Sequence, residues 1–142
     1  MLNIYDFIFD NCNEEDIAII YEDSSISYYQ LREKIDKVSI LIQECGISSN
    51  FRIGLMLDNS IDFIIFLMAF LKNENLVCLL NTKNDEKDLN KKLNLTHNDI
   101  LICEDYIKNK ISHIKVAYFI LCKYKIIIEY AIIKLRFSDD IK

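Results

Sequence analysis

Residues 52–80 read RIGLMLDNSIDFIIFLMAFLKNENLVCLL, and the order of patterns inside them sets the fold class. Arg52 to Leu57 is an apolar run of strand length, with Gly54 inside it, a residue that often marks close approach of another backbone. Asp58-Asn59-Ser60 is a turn able to cap a helix, and Ile61 to Lys72 follows as a helix that is apolar almost all round. Such a helix requires burial on more than one side. Leu76 to Leu80 is a continuous apolar strand of the kind buried in a parallel sheet. Asn84 or Asp85 then caps a polar helix running to about Leu95, and Asp99 to Cys103 is another buried-looking strand. Strand, helix, strand, helix, strand implies a parallel sheet joined by right-handed crossovers.

Upstream, Ile4 to Cys12 reads as a short helix with Ile4, Phe7, Ile8 and Cys12 on its apolar side. Ile17 to Tyr21 is a strand, Glu22-Asp23-Ser24-Ser25 a turn, and Ile26 starts the return of a hairpin. Ser27 and Gln30 form a capping box for a long helix carrying Tyr28, Leu31, Ile35, Val38, Leu41, Ile42 and Cys45 at helical spacing. Gly46 stands where a C′ glycine ends it. Downstream, Glu104 to Lys110 reads as a short helix and Val116 to Leu121 as a further strand. Tyr124 to Phe137 fits helix and strand templates equally, and Ser138 to Lys142 is a frayed end. The fold class is α/β, a partial, mostly parallel sheet with flanking helices. Residues 1–142 form a single domain, without repeats or a linker.

Composition narrows the functions. An apolar fraction of 51% with 27% charged residues is that of a folded globular chain rather than a disordered one. At 142 residues it buries roughly 65–70% of its unfolded surface. A net charge of −5 gives no electrostatic reason to bind nucleic acid or an anionic membrane. No membrane span is expected: the longest uncharged helical run, Phe63 to Leu71, is about half of the roughly 20 residues required. Val116 to Phe137 is interrupted by Lys123, Lys125, Glu129, Lys134 and Arg136. Five widely spaced cysteines, no C-x-x-C pair and an acidic start, Asp6, favour reduced thiols in the cytoplasm. Cys45, Cys78, Cys103 and Cys122 read as small buried hydrophobes. Two glycines, Gly46 and Gly54, and no proline cannot spell either glycine-rich phosphate-binding motif.

Ser27-Tyr28-x-Gln30-Leu31, then Cys45-Gly46-Ile47, then Arg52 through Ser60, then Phe63 through Asn73, then Glu74 through Asn81 stand in an order and at separations that resemble the opening of the adenylate-forming enzymes. These are the acyl-CoA synthetases, the luciferases and the amino-acid adenylation domains of nonribosomal peptide synthetases. The resemblance covers 16–106, and 111–142 is a divergent tail. It implies the N-terminal subdomain fold of that family. Its parent reaction is ATP-dependent activation of a carboxylate to an acyl-adenylate, with ATP and magnesium as cofactors of a complete member. Departures are specific. The family's glycine after its Leu-Lys-Ala falls at Asn73 or Glu74, and its proline before Leu-Asn falls at Leu79. The Ser/Thr/Gly-rich phosphate loop, the nucleotide-holding segments and the C-terminal lid are not among these residues.

The expected function is therefore a truncated or split N-terminal piece of an AMP-forming ligase, inactive alone. The expected catalytic, cofactor-binding and metal residues are none, and this chain alone holds no cofactor. The alternative is a non-catalytic interaction module that pairs with a complementary ligase fragment or with itself through Ile61–Lys72 and the tail. A metal or redox enzyme built on the cysteines ranks third, because His97 and His113 are isolated. Asp58 and Asp62 read as turn and cap carboxylates, and Asp85, Glu86 and Asp88 as a helix start that suits the macrodipole. Ser24 and Ser25 have no histidine near in sequence, and Tyr28 and Tyr29 read as packing residues.

Overall fold

The computed structural model describes residues 3–44, 46–104, 117–121 and 135–136. Helix α1 (Ile4–Asp10) is followed by a hairpin of β1 (Ile17–Tyr21) and β2 (Ser24–Ser27), then by α2 (Tyr28–Glu44). Next come β3 (Arg52–Met56), α3 (Ile61–Lys72), β4 (Leu76–Leu79), α4 (Glu86–Thr96) and β5 (Ile100–Glu104), with β6 (Ala117–Leu121) and β7 (Leu135–Arg136) last. The main sheet has the order β4-β3-β5-β6-β7. Its first four strands run parallel, and β7 returns antiparallel to β6. Glu104 closes β5 instead of opening the expected helix, whose other residues lie outside those described, as does nearly all of 124–137.

The chain steps from β3 to β4 in one direction and from β4 back across β3 to β5 in the other. Crossovers between parallel strands are right-handed as a rule, and two of them in opposite directions put α3 over one sheet face and α4 over the other. The strands carry two apolar faces to match. Ile53, Leu55, Ile100 and Ile102 join one core with α2 and α3. Met56, Leu101 and Cys103 are buried outside that cluster, as are Leu80 and Leu89 of the α4 side. Gly54 lies on this second face. A Cβ there would come within 3.2 Å of the Leu101 and Leu80 methyls and 3.4 Å of the Asn98 amide, so the close neighbours are side chains and not a backbone.

Local chemistry starts and stops the helices. Gln30 N–H donates to Ser27 Oγ (3.2 Å) and Ser27 N–H to Gln30 Oε1 (2.9 Å), the expected capping box. Ser60 accepts from Phe63 N–H at the start of α3, and Asp85, rather than Asn84, caps α4 by accepting from Asp88 N–H. At the end of α2, Ile47 N–H reaches Ile42 C=O and Gly46 N–H reaches Gln43 C=O, with Gly46 at φ +79°. The end of α3 repeats this pattern. Asn75 N–H reaches Phe70 C=O and Glu74 N–H reaches Leu71 C=O. Here the left-handed residue is Glu74, at φ +63°. Glu74→Gly is expected to stabilise the fold by about 0.5–1 kcal/mol, because glycine alone occupies this region without a Cβ penalty. Chemical denaturation of the two proteins would show it as a raised midpoint at unchanged slope.

Three sequence expectations change. In α1 the buried residues are Tyr5 and Phe9, whereas Ile4 and Phe7 face outward. Tyr5 and Phe9 are drawn in by partners far away in sequence. The Tyr5 hydroxyl donates to Asp36 (2.6 Å), which also pairs with Lys72 (2.7 Å), and Lys72 sits 4.6 Å from the Tyr5 ring centroid. Arg32 lies 5.1 Å from the Phe9 ring centroid and bonds Phe9 C=O and Glu14. Second, among the described residues β4 is an edge strand, with Leu76 and Leu79 exposed, whereas Ile100 to Cys103 of β5 are buried. Third, α3 offers less open apolar surface than its composition suggests, with Phe63, Ile64 and Met68 bordering apolar cavities. It packs on α1, α2 and β4, and none of its large apolar residues is among the exposed ones.

Burial, and then the hydrogen bond to Asp36, hold the Tyr5 phenol well above its ordinary value of 10.0. The fold thus binds the Tyr5 proton more tightly than the unfolded chain does. Its contribution is complete below pH 10 and is lost as pH rises above that value. Stability is expected to fall on the alkaline side of pH 10 and to fall less in Tyr5→Phe, as thermal melts from pH 8 to 11 would show.

Candidate functional site

The reversal of strand order opens a crevice where β3 and β4 end, because the chain leaves β3 toward α3 and leaves β4 toward α4 on the opposite face. Open α/β sheets bind ligands at such a point. A cavity of about 590 Å³ lies there, within the usual range for small-molecule sites. Leu57, Asp58 and Asn59 form the β3 side, and Leu79 to Lys83 form the β4 side. Phe63 from the first turn of α3 and Tyr21 from the hairpin close the remaining wall.

Loop geometry fixes the rim. Leu80 N–H donates to Leu55 C=O (2.9 Å) and carries the β3–β4 ladder up to the crevice. Asn81 then turns the chain: its side-chain oxygen accepts from Lys83 N–H (2.9 Å) and its carbonyl from Asn84 N–H (3.1 Å). Across from it, Ser60 Oγ donates to Asp58 C=O (3.3 Å) and accepts from Phe63 N–H. Among the described residues, one buried side-chain polar atom has no hydrogen-bond partner, Asn84 Nδ2 beside this rim. The crevice thus offers the amides of Asn59 and Asn81, the hydroxyls of Tyr21 and Thr82, one carboxylate and one ammonium beside the apolar side chains of Leu57, Phe63, Leu79 and Leu80. It has groups to hold a small polar molecule.

The candidate residues of the sequence are dispersed over the fold. Asp58 lines the crevice, Asp62 lies in the first turn of α3, and Glu86 and Asp88 lie in the first turn of α4. Ser24 and Ser25 pair with Tyr21 and Ile20 in the hairpin. Tyr28 packs edge-on to Phe9 with centroids 6.3 Å apart, whereas Tyr29 is exposed and bonds Glu33. Cys103 is buried and Cys12 and Cys78 are half-buried, and none of the three is in a disulfide among the described residues. Among the described residues no group of His, Cys, Asp or Glu could hold a metal ion, and no helix is long and apolar enough to cross a membrane. Sequence reasoning missed the crevice. Its residues look like ordinary turn residues, and only the strand order brings 57–59 and 79–83 together.

A doubly wound unit with a crevice at its switch point defines a class of ligand-handling α/β proteins. Within that class the chain belongs to the AMP-binding enzyme family, whose model matches residues 9–129. It is similar to bacitracin synthase 3 of Bacillus licheniformis, 27% identical over 100 residues, which are 70% of this chain and 2% of that protein. Its fold resembles O-succinylbenzoate coenzyme A synthetase from Bacillus subtilis, solved in complex with AMP, with a TM-score of 0.78 at 17% identity. That likeness covers 95% of this chain and 35% of the other. Klebsiella oxytoca NpsA gives a TM-score of 0.75 at 19% identity, over 92% of this chain and 26% of that one. The chain therefore corresponds to a fragment of an adenylation-type domain and spans a small part of the relatives it matches.

Proposed function

We propose that these 142 residues supply the front scaffold of an AMP-forming acid ligase or amino-acid adenylation domain and do not activate a carboxylate by themselves. One observation carries this reading: the family match over 9–129 falls on a sequence with only two glycines. Gly46 closes a helix and Gly54 lies inside a strand against side chains, so neither belongs to a phosphate-cradling loop. The whole of 1–142 is taken as one domain, with 111–142 its divergent part. A cytoplasmic setting goes with this reading, since five widely spaced cysteines with no C-x-x-C pair suit reduced thiols. The purified chain is expected to give no ATP–pyrophosphate exchange with any of the common amino acids or with short fatty acids. Robust exchange by the chain alone would overturn the reading.

The second reading, a module that pairs with a complementary ligase fragment, is favoured by the exposed apolar residues of the hairpin, Ile17, Ile20 and Tyr21. Both readings are compatible, since a front scaffold separated from its domain is also a binding module for the remainder.

A further inference from the structure

Among the described residues, β1 pairs with β2 alone, so one edge of β1 carries unpaired backbone groups. Apolar side chains crowd that edge: Ile17 is 59% and Ile20 73% exposed. Proteins usually cover or charge such edges. Beside it runs a trough made of two linked apolar cavities. The first, about 240 Å³, lies between Ile19–Tyr21 and Phe63–Ile64. The second, about 220 Å³, shares Ile19 and Ile64 and continues to Met68 and Ile8. At its other end the trough meets the switch-point crevice through Tyr21, Asn59 and Phe63.

We propose that the β1 edge and this trough are the docking surface for an extended strand belonging to the remainder of an adenylate-forming domain. The inference rests on the reading of the chain as a piece of such a domain and names the surface that the piece uses. An added strand would satisfy the β1 backbone and place every second side chain in the trough. Charge decides against a second copy. Glu14, Glu15 and Asp16 precede β1 and Glu22 and Asp23 follow it, so two β1 edges paired antiparallel would set acid against acid. The partner strand is instead apolar, with Lys or Arg at its ends. The solved relatives have ample chain to provide it, since roughly two thirds or more of each lies outside the matched part.

A photo-crosslinking phenylalanine analogue at position 20, in the full chain expressed in its own cells, tests this. Position 40 on α2, also exposed, serves as the control. The expected product is a cross-link from position 20, and not from position 40, to a polypeptide carrying the later part of an adenylation domain. Mass spectrometry identifies that polypeptide. The same product should be lost when Ile17→Lys is added. A cross-link to a second copy, to residues 122–134 of the same chain or to an unrelated protein overturns the proposal, as does the absence of any product. A cross-link to an adenylation-domain polypeptide from position 40 alone overturns this surface and leaves the reading of the chain as a ligase piece intact.

Discussion

Replacing Phe66 by alanine is expected to remove about 3–5 kcal/mol of folding stability, the range for deleting a buried aromatic side chain. Phe66 is 1% exposed and lies in the core cluster with Ile35, Val38 and Ile42 of α2 and Ile53 and Leu55 of β3. It therefore belongs to all three layers at once: α2, α3 and the sheet. The lost ring removes transfer free energy and leaves a cavity that rigid neighbours cannot refill. Domains of this size hold about 5–15 kcal/mol in total, so the variant would sit near the edge of folding. Urea titration followed by far-ultraviolet circular dichroism measures the loss, and Phe66→Leu, which keeps much of the volume, should lose clearly less. A shift below about 1 kcal/mol for the alanine variant would contradict the packing of α3 against α2 and the sheet.

The second large effect is polar. Asn75 is 4% exposed, and its side-chain nitrogen donates to the carbonyls of Ser48 and Phe51, both at 2.9 Å. Its oxygen accepts from Asn73 (2.8 Å), whose amide also reaches Ile47 C=O (3.1 Å). These bonds fasten the end of α3 to the loop between α2 and β3. Asn75→Ala strips that loop of two donors in a buried setting and is expected to cost on the order of 2–4 kcal/mol, since each orphaned group costs about 1–3. Asn75→Asp separates hydrogen bonding from packing. It keeps the volume, but a carboxylate cannot donate, so at neutral pH it should be at least as damaging as alanine. If Asn75→Asp is neutral in the same unfolding assay, the amide bonds do not hold the loop.

Much of this architecture is legible in the sequence because it is written in local chemistry. Ile61–Lys72 is a helix with the expected bounds because Ser60 caps it and its apolar run exceeds strand length. Gly46 and the Ser27–Gln30 box work over four or five residues, within the reach of a sequence pattern. The parallel sheet follows from the strand–helix alternation, which has one handed solution. The family, too, is legible, since five weak motifs keep their order and separation.

What the sequence could not settle concerns neighbours distant along the chain. Tyr5 turns inward, and Phe7 does not, because Asp36 and Lys72 wait on other helices. Leu76–Leu79 and 100–103 look equally apolar, yet among the described residues one is an edge and the other is buried on both faces. Apolarity records that a strand can be buried, not its place in the sheet. The crevice between 57–59 and 79–83 likewise exists only once β3 and β4 lie side by side. The sequence by itself determined the helices, strands, caps and family, because hydrogen-bonding and periodicity act within a few residues. The tertiary structure alone decided strand order, the inward face of α1 and the crevice, because these depend on which surfaces meet when the chain closes its cores.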